Sequence, residues 1–126
     1  MSSPFAPQDS YPYQNEPTWS KLEKAIARAA FDAALKRELH ELMQETKRRA
    51  NQIKEPADVW DLEHYLTERR KEIDRKYDYR YSQLRHVFAR LLYEGRVGEE
   101  DLSGLRDDKL KSIRSLAKFL AEETAA

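Results

Sequence analysis

Apolar side chains recur at helical spacing along most of this sequence, and they predict a wholly helical chain. The first helix begins at the capping box formed by Ser20 and Glu23, and neither proline nor glycine interrupts it before Pro56. At 1.5 Å per residue it is about 50 Å long. Its apolar positions fall on two roughly opposed stripes, Leu22, Ile26, Ala29 and Ala33 on one and Phe31, Leu35, Leu39, Leu42, Ala50 and Ile53 on the other. So short a chain cannot cover both stripes, so the pattern predicts that a second copy covers one of them.

A second helical segment follows, with Asp58 as its predicted N-cap, and no helix breaker occurs before Gly95. Apolar residues keep a 3-4 or 7 spacing throughout it, at Val59, Leu62, Leu66, Ile73, Tyr77, Tyr81, Leu84, Phe88 and Leu91. The stretch KYDYRYS, residues 76–82, weakens helix propensity, so the segment is either one helix or two nearly collinear ones. After a turn with an acidic stretch behind Gly98, RDDKLKSIRSLAKFL predicts a basic amphipathic C-terminal helix.

The first 17 residues differ from the rest because they hold four of the five prolines and show no helical period. They predict a disordered N-terminal leader, residues 1–17, followed by a single helical domain over residues 18–126. The aromatic residues Phe5, Tyr11 and Tyr13 make a docking motif conceivable, although short tails of this composition usually bind nothing specific.

Composition agrees with an all-α protein, since 37% of the 126 residues are charged and only three are glycine. The 23 basic residues balance the 23 acidic ones, so no global surplus points to nucleic acid. Without cysteine, the chain has no disulfide, zinc–thiolate site or thiol nucleophile. No apolar run is long enough for a membrane helix and no signal peptide is visible, so we expect a soluble, cytoplasmic protein.

Catalytic and metal-binding motifs are also missing from the sequence. The three histidines, His40, His64 and His86, belong to no metal motif, and the closest arrangement is the weak pair Asp61-x-x-His64. There is no glycine-rich phosphate loop and no nucleophile motif, so we expect neither an enzyme nor a metal or other cofactor. The stretch 68–90 has eight bases and four acids, a net charge of 8 − 4 = +4. We interpret it as a solvated helix face with pairs such as Arg70–Asp74 and Glu72–Lys76, and not as a nucleic-acid site.

Trp60 stands out because it lies about 60° outside the main apolar stripe of its helix, on the side of His64. One interpretation is ordinary packing against the first helix or a second copy. The other is a half-exposed binding anchor, because Trp and Arg are enriched at binding hot spots. Arg70 lies within the stripe, where its stem can cover apolar surface while its head pairs with an acid such as Glu63.

Four segments, DVWDLEHYLTERRKEID, KYDYRYS, VFARLLYEG and DDKLKSI, resemble in order and spacing the fluorescence recovery proteins of cyanobacteria, over residues 19 to 120. The resemblance implies a homodimer with a long-helix stem, about 18–80, and a small C-terminal helical head, about 81–122. It implies a non-enzymatic regulator that binds the C-terminal domain of photoactivated orange carotenoid protein. Such a regulator promotes detachment from the phycobilisome, on that side of the thylakoid membrane, and speeds the return to the resting orange form.

The resemblance also implies site residues. Trp60 and Arg70 match the family's tryptophan and arginine on the dimer surface that supports activity. Between them Glu63 and His64 replace the family's His-Asp pair, so a carboxylate and an imidazole have changed places along the helix. Because one residue is 100° of helix rotation, any hydrogen bond of the family's pair cannot be carried over.

In the head, Arg85 and His86 stand before VFA, where the family tends to have apolar residues ending in Phe. With Lys111 of DDKLKSI they are candidates for contact with the carotenoid protein, on a surface that is more polar and cationic here. These departures leave a second hypothesis open, a helical dimer of the same fold that serves as a scaffold for an unrelated partner.

Overall fold

The computed structural model describes residues 18–125, most of which lie in four α-helices. Helix α1 spans Lys21–Asn51, α2 Pro56–Lys76, α3 Leu84–Tyr93 and α4 Asp107–Ala125, and a short 3₁₀ helix covers Glu99–Leu102. These residues include no strand, so the predicted all-α fold is confirmed. The predicted leader, residues 1–17, lies outside the described part of the chain.

Helix α1 begins at the predicted capping box. The Ser20 hydroxyl accepts the Glu23 N–H at 3.1 Å, and the Glu23 carboxylate accepts the Ser20 N–H at 3.0 Å. The helix continues for 31 residues, about 46 Å at 1.5 Å per residue. The prediction of one long helix before Pro56 is therefore confirmed.

The predicted first stripe of α1 is wrong in its members. Leu22 is 66% exposed and Ala29 is exposed, whereas the buried side chains are Glu23, Ala27, Ala30, Phe31, Ala34 and Glu38. Small alanines allow the rest of the fold to approach the helix closely, and two carboxylates are buried beside them. Hydrophobicity alone could not rank a glutamate above a leucine for burial.

Helix α2 begins at Pro56 and not after Asp58, so the predicted N-cap is wrong. Glu55 takes the N-cap position, and Pro56 is suited to the first helical position, where no N–H is required. Asp58 still supports this end of the helix, because its carboxylate accepts the N–H groups of Lys54 at 2.9 Å and Glu55 at 3.1 Å.

The chain leaves the helix at Tyr77, which decides the open question in favour of two helices, α2 and α3. The tyrosines of the break pack on α1. The rings of Tyr77 and Tyr79 lie edge-on to Phe31, with centroids 5.4 and 4.8 Å away, and the Arg28 guanidinium lies 3.7 Å from the Tyr79 ring centre. These contacts with α1 stabilise the non-helical backbone.

From here on we extend the name head beyond the predicted residues 81–122. It now also includes the first half of α1, residues 21–34, together with α3, the 3₁₀ helix and α4. One hydrophobic core joins these elements: Trp19, Ala27, Ala30, Phe31, Ala34, Leu84, Val87, Phe88, Ala89, Leu91, Val97, Leu102, Leu105, Ile113 and Ala117. Gly104 allows the turn before α4 to pass close to α1, since its φ is 102° and an added Cβ would lie 2.6 Å from Ile26 Cδ1.

We use the name hairpin for residues 35–76, which comprise the second half of α1 and all of α2. The two helices run antiparallel, because Glu38 contacts Arg69 while Arg49, further along α1, stacks on Tyr65, earlier in α2. In α2 the buried residue is Ile73, at the end nearest the head. The hairpin therefore extends from the head with much of its apolar surface exposed.

Candidate functional site

Exposed apolar side chains lie on both helices of the hairpin. Trp60 is 69% exposed and Val59 45% on α2, and Leu39 and Met43 are each 46% exposed on α1. A groove of about 460 Å³ runs along α2, lined by Val59, Leu62, Glu63, Leu66, Thr67 and Arg70. A second, of about 430 Å³, lies between the helices next to Leu35, Leu39, Leu42, Arg70, Ile73 and Tyr77.

The four residues predicted for this surface all lie on α2. Trp60, Glu63, His64 and Arg70 are exposed, so the interpretation of Trp60 as packed against α1 does not hold within one chain. Glu63 accepts a hydrogen bond from the Thr67 hydroxyl at 2.9 Å and does not pair with Arg70. Arg70 borders both grooves and forms no salt bridge within residues 18–125, so its guanidinium is available to another molecule.

The neighbouring bases of α2 have a different role from the one predicted. Glu72 pairs with Arg69 at 2.5 Å, and Lys76 points inward to Glu38 and Glu94, at 2.8 Å each. The predicted pairs Arg70–Asp74 and Glu72–Lys76 are therefore wrong. Arg69 and Lys76 both form salt bridges with Glu38 of α1, because the buried carboxylate of Glu38 offers a stronger interaction than an exposed i,i+4 pair.

Glu38 is the centre of a buried charged cluster between hairpin and head, and its side chain is 0% exposed. Its carboxylate accepts hydrogen bonds from Lys76 Nζ at 2.8 Å, Arg69 Nη2 at 3.0 Å and the Tyr77 hydroxyl at 2.8 Å. Burial opposes ionisation of Glu38, but these donors outweigh it and lower its pKa. Burial and the same hydrogen bond raise the pKa of Tyr77.

The cluster continues into the turn after α3. Arg96 Nε lies 3.2 Å from Glu38 without hydrogen-bond alignment, and its other nitrogens pair with Glu94 at 2.6 Å and Glu41 at 3.0 Å. We call these residues the junction: Glu38, Arg69, Lys76, Tyr77, Glu94 and Arg96. The junction ties α1, α2, the break and the end of α3 together, so it fixes the angle of the hairpin relative to the head.

Sequence reasoning missed the junction, although one signal was present. Ala27, Phe31, Ala34 and Glu38 follow one another at 4-3-4 spacing, which puts Glu38 on the buried stripe. A carboxylate on such a stripe requires basic partners. Those partners are 31 and 38 residues away in the sequence at Arg69 and Lys76, so spacing could not identify them.

The head presents the other predicted residues on two helices. Arg85 donates to the Ser112 hydroxyl at 2.8 Å and so bridges α3 and α4. His86 is exposed between two grooves, and Lys111 is exposed on α4. Since Lys111 precedes Ser112, it points about 100° away around the helix. His86 therefore borders both grooves, whereas Arg85 and Lys111 line neither of them.

An apolar groove of about 320 Å³ lies between α3 and α4, lined by His86, Ala89, Arg90, Leu116, Phe119 and Leu120. Phe119 is 59% exposed. The adjoining groove, of about 350 Å³, is bordered mainly by charged residues that include Glu72, Arg75, Asp78 and Glu94. His86 and Arg90 border both, so the apolar groove has a cationic edge.

The described residues contain no cluster of three His, Cys, Asp or Glu side chains suited to a metal ion. None of the four helices described above combines the length and apolar character needed to cross a membrane.

Comparison with known proteins places this geometry in a family. A profile of the family described as the photoprotection regulator fluorescence recovery protein matches residues 19–117. The chain belongs to the fluorescence recovery protein family. The predicted family is thereby confirmed, and with it the broad role of a photoprotection regulator.

Individual fluorescence recovery proteins agree with this assignment. The chain is 43% identical over 104 residues to the fluorescence recovery protein of Synechocystis sp. PCC 6803, covering 82% of this chain and 95% of that protein. The solved structure of the Fremyella diplosiphon protein matches with a TM-score of 0.77 and 46% identity. The solved Synechocystis structure matches with a TM-score of 0.77 and 42% identity. Each covers 80% of this chain and is itself 99% covered.

Proposed function

We propose that the chain forms a homodimer through its hairpin. The observation that supports this is the exposure of Leu39, Met43 and Val59 on the hairpin, where few side chains are buried. Burying the exposed half of such side chains contributes about 1 kcal/mol each, or roughly 6 kcal/mol over two copies. That gain is of the same size as the cost of association, about 4–15 kcal/mol, so each of these side chains matters to the dimer.

The dimer is proposed to act on photoactivated orange carotenoid protein, through that protein's C-terminal domain. It promotes detachment from the phycobilisome and accelerates reversion to the resting orange form, which ends photoprotective quenching. This activity takes place in the cytoplasm, on the phycobilisome side of the thylakoid membrane. Family membership and the exposed Trp60 and Arg70 support the proposal, since a regulator of this kind needs anchors of those types.

Acceleration without covalent chemistry requires selective binding. The dimer must bind the open carotenoid protein, or the transition state of its closure, more tightly than the closed resting form, because only differential affinity biases a conformational change. Trp60, Glu63, His64 and Arg70 form the hairpin part of the proposed binding surface. Arg85, His86 and Lys111 are the proposed contacts of the head, and the junction holds the two parts at a fixed angle.

A reversion assay tests this function. Photoactivated orange carotenoid protein is mixed with the purified chain, and the visible absorbance is followed in darkness. We expect substoichiometric protein to accelerate the red-to-orange change. An unchanged rate, with no complex on a sizing column, contradicts the proposal.

The second candidate is an interaction scaffold of the same fold that serves an unrelated partner. It is favoured by Glu63 and His64, which replace the family's His-Asp order on a face that is exposed in the structure. The double variant Glu63→His with His64→Asp separates the two candidates in the same assay. If the original chain is inactive and the double variant accelerates reversion, this chain serves another partner; if the original is already active, the scaffold hypothesis fails.

A further inference from the structure

The apolar groove between α3 and α4 leaves an aromatic ring of the head uncovered. Phe119 lines this groove and is 59% exposed, whereas Ile113 and Ala117 of the same helix are buried. The groove has a volume of about 320 Å³. A cavity of roughly 150 Å³ accommodates a benzene ring. The groove therefore has room for the ring of another phenylalanine beside Phe119.

One edge of the groove is formed by a base that is only weakly paired. The Arg90 side chain is 51% exposed, and among residues 18–125 its nearest carboxylate is that of Glu94, at 3.9 Å. Glu94 already pairs with Lys76 at 2.8 Å and with Arg96 at 2.6 Å. The Arg90 guanidinium is therefore available to a carboxylate of another molecule, which it can bind with two parallel hydrogen bonds.

The end of α4 carries such a carboxylate on the same side as Phe119. Glu123 follows Phe119 by four residues and Leu116 by seven, so it lies about 40° from Phe119 and about 20° from Leu116 around the helix axis. Glu123 is exposed and forms no salt bridge within the described part of the chain. The preceding Glu122 lies about 120° from Leu116 and so points away from the groove.

The groove and the outer stripe of α4 are complementary to each other. The groove combines apolar walls with the Arg90 guanidinium, and the stripe presents the Phe119 ring with the Glu123 carboxylate one helical turn further along. A chain cannot insert Phe119 into the groove that its own Phe119 lines, but a second copy can. In a twofold arrangement each copy gives its stripe to the groove of the other, so both grooves are covered at once.

We propose that a second copy of this chain docks on the α3/α4 groove, with its Phe119 in the groove and its Glu123 paired with Arg90. The contact lies on the head and is separate from the proposed hairpin interface. Its patch is small compared with a standard interface of about 800 Å² per partner, so we expect a Kd on the order of 0.1–1 mM. At about 10 µM, a concentration suited to light scattering, this contact is largely dissociated.

Self-association of the head has a consequence for partner binding. The contact covers His86, which borders the groove and is one of the proposed partner contacts of the head. A second copy and the partner protein therefore compete for the head, so a high local concentration of the chain lowers the number of free heads. This consequence rests on the proposed function, whereas the contact between copies does not.

Sedimentation velocity over a range of concentrations tests the contact without any carotenoid protein. We expect the average mass of the original chain to rise between about 10 µM and 1 mM, because the expected Kd lies in that range. Arg90→Glu and Glu123→Lys should each weaken the contact about tenfold, since each change acts twice in a twofold contact and places like charges together. Phe119→Ala should also remove most of the rise. Glu122→Lys is the matched control and should leave the rise unchanged.

Mixing the two charge-reversed chains distinguishes this contact from any other. Each variant repels its own copies, but in an equimolar mixture every pair of residues 90 and 123 across the contact joins opposite charges. We expect the mixture to recover the rise in mass of the original chain. The changed side chains are exposed, so circular dichroism should show the helical content of the original chain for each variant.

Three results would overturn the proposal. The first is a mass of the original chain that stays constant up to about 1 mM. The second is a rise that persists in Phe119→Ala, because another surface would then be responsible. The third is a mixture of Arg90→Glu and Glu123→Lys chains that associates no better than either chain alone. None of these results changes the outcome of the reversion assay, so the two proposals fail separately.

Discussion

Glu38→Gln is the change that most directly tests the junction. The amide keeps the shape of the side chain but removes the charge that Lys76, Arg69 and Arg96 share at 2.8 to 3.2 Å. Glu38 is fully buried and Lys76 is 8% exposed, so water cannot replace the lost carboxylate. Removing one partner of a buried ion pair costs about 3–5 kcal/mol, and we expect the lower end because the amide oxygen still accepts a hydrogen bond.

Glu41→Gln is the matched control, since Glu41 also pairs with Arg96, at 3.0 Å, but is 59% exposed. An exposed pair contributes about 0–1 kcal/mol. Chemical denaturation monitored by circular dichroism should show a loss of about 3 kcal/mol for Glu38→Gln and less than about 1 kcal/mol for Glu41→Gln. Equal, small losses for both variants would refute the reasoning, because the buried cluster would then contribute no more than a surface pair.

Three further predictions follow from individual contacts. Burial opposes ionisation of Glu23, but the N–H groups of Arg106 and Ser20 and the ammonium of Lys109 lower its pKa from 4.5 to about 2. The stability of the fold should therefore fall as the pH drops from 4.5 towards 2. A Glu23→Gln chain whose thermal unfolding shows the same dependence on pH would contradict this prediction. Gly104→Ala should cost about 1–3 kcal/mol, because φ is 102° and its Cβ would meet Ile26. Gly98→Ala should cost less, because φ is −104° and its Cβ would meet only the end of the exposed Glu100 side chain, which can move away. Equal denaturation midpoints for the two variants would contradict this prediction. Leu39→Glu should make the chain monomeric in light scattering without changing its helicity. Leu22→Glu, at an exposed leucine of the head, should leave the dimer intact. A dimeric Leu39→Glu chain would count against the hairpin interface.

Local signals in the sequence identified much of the helical framework. The capping box of Ser20 and Glu23 and the absence of breakers up to Pro56 are short-range features, and α1 follows them closely. The break at Tyr77 could not be decided in this way, because its tyrosines are stabilised by Phe31 and Arg28, about fifty residues earlier in the chain. Tertiary contacts of this kind override local propensity.

Charged residues were the least predictable part of the site. Arg69 and Arg70 are adjacent and therefore lie about 100° apart around α2. Arg69 forms a salt bridge with the buried Glu38, whereas Arg70 is exposed between the two grooves. The helical angle of Trp60 put it outside the main apolar stripe of α2, and the side chain is 69% exposed, but that angle could not decide between packing on α1 or a second copy and a half-exposed anchor. Glu38 and Lys109 are buried because distant residues supply their partners, and no pattern within one helix reveals those partners.

The most direct test of the proposed function compares the original chain and Trp60→Ala in the dark reversion of photoactivated orange carotenoid protein. Trp60 is 69% exposed, so its loss should leave helical content unchanged while weakening partner action or dimerisation. The proposed function predicts faster reversion with substoichiometric original chain and a markedly smaller effect with the variant. Equal acceleration by both proteins would remove Trp60 from the site, and no acceleration by either would contradict the proposed function itself.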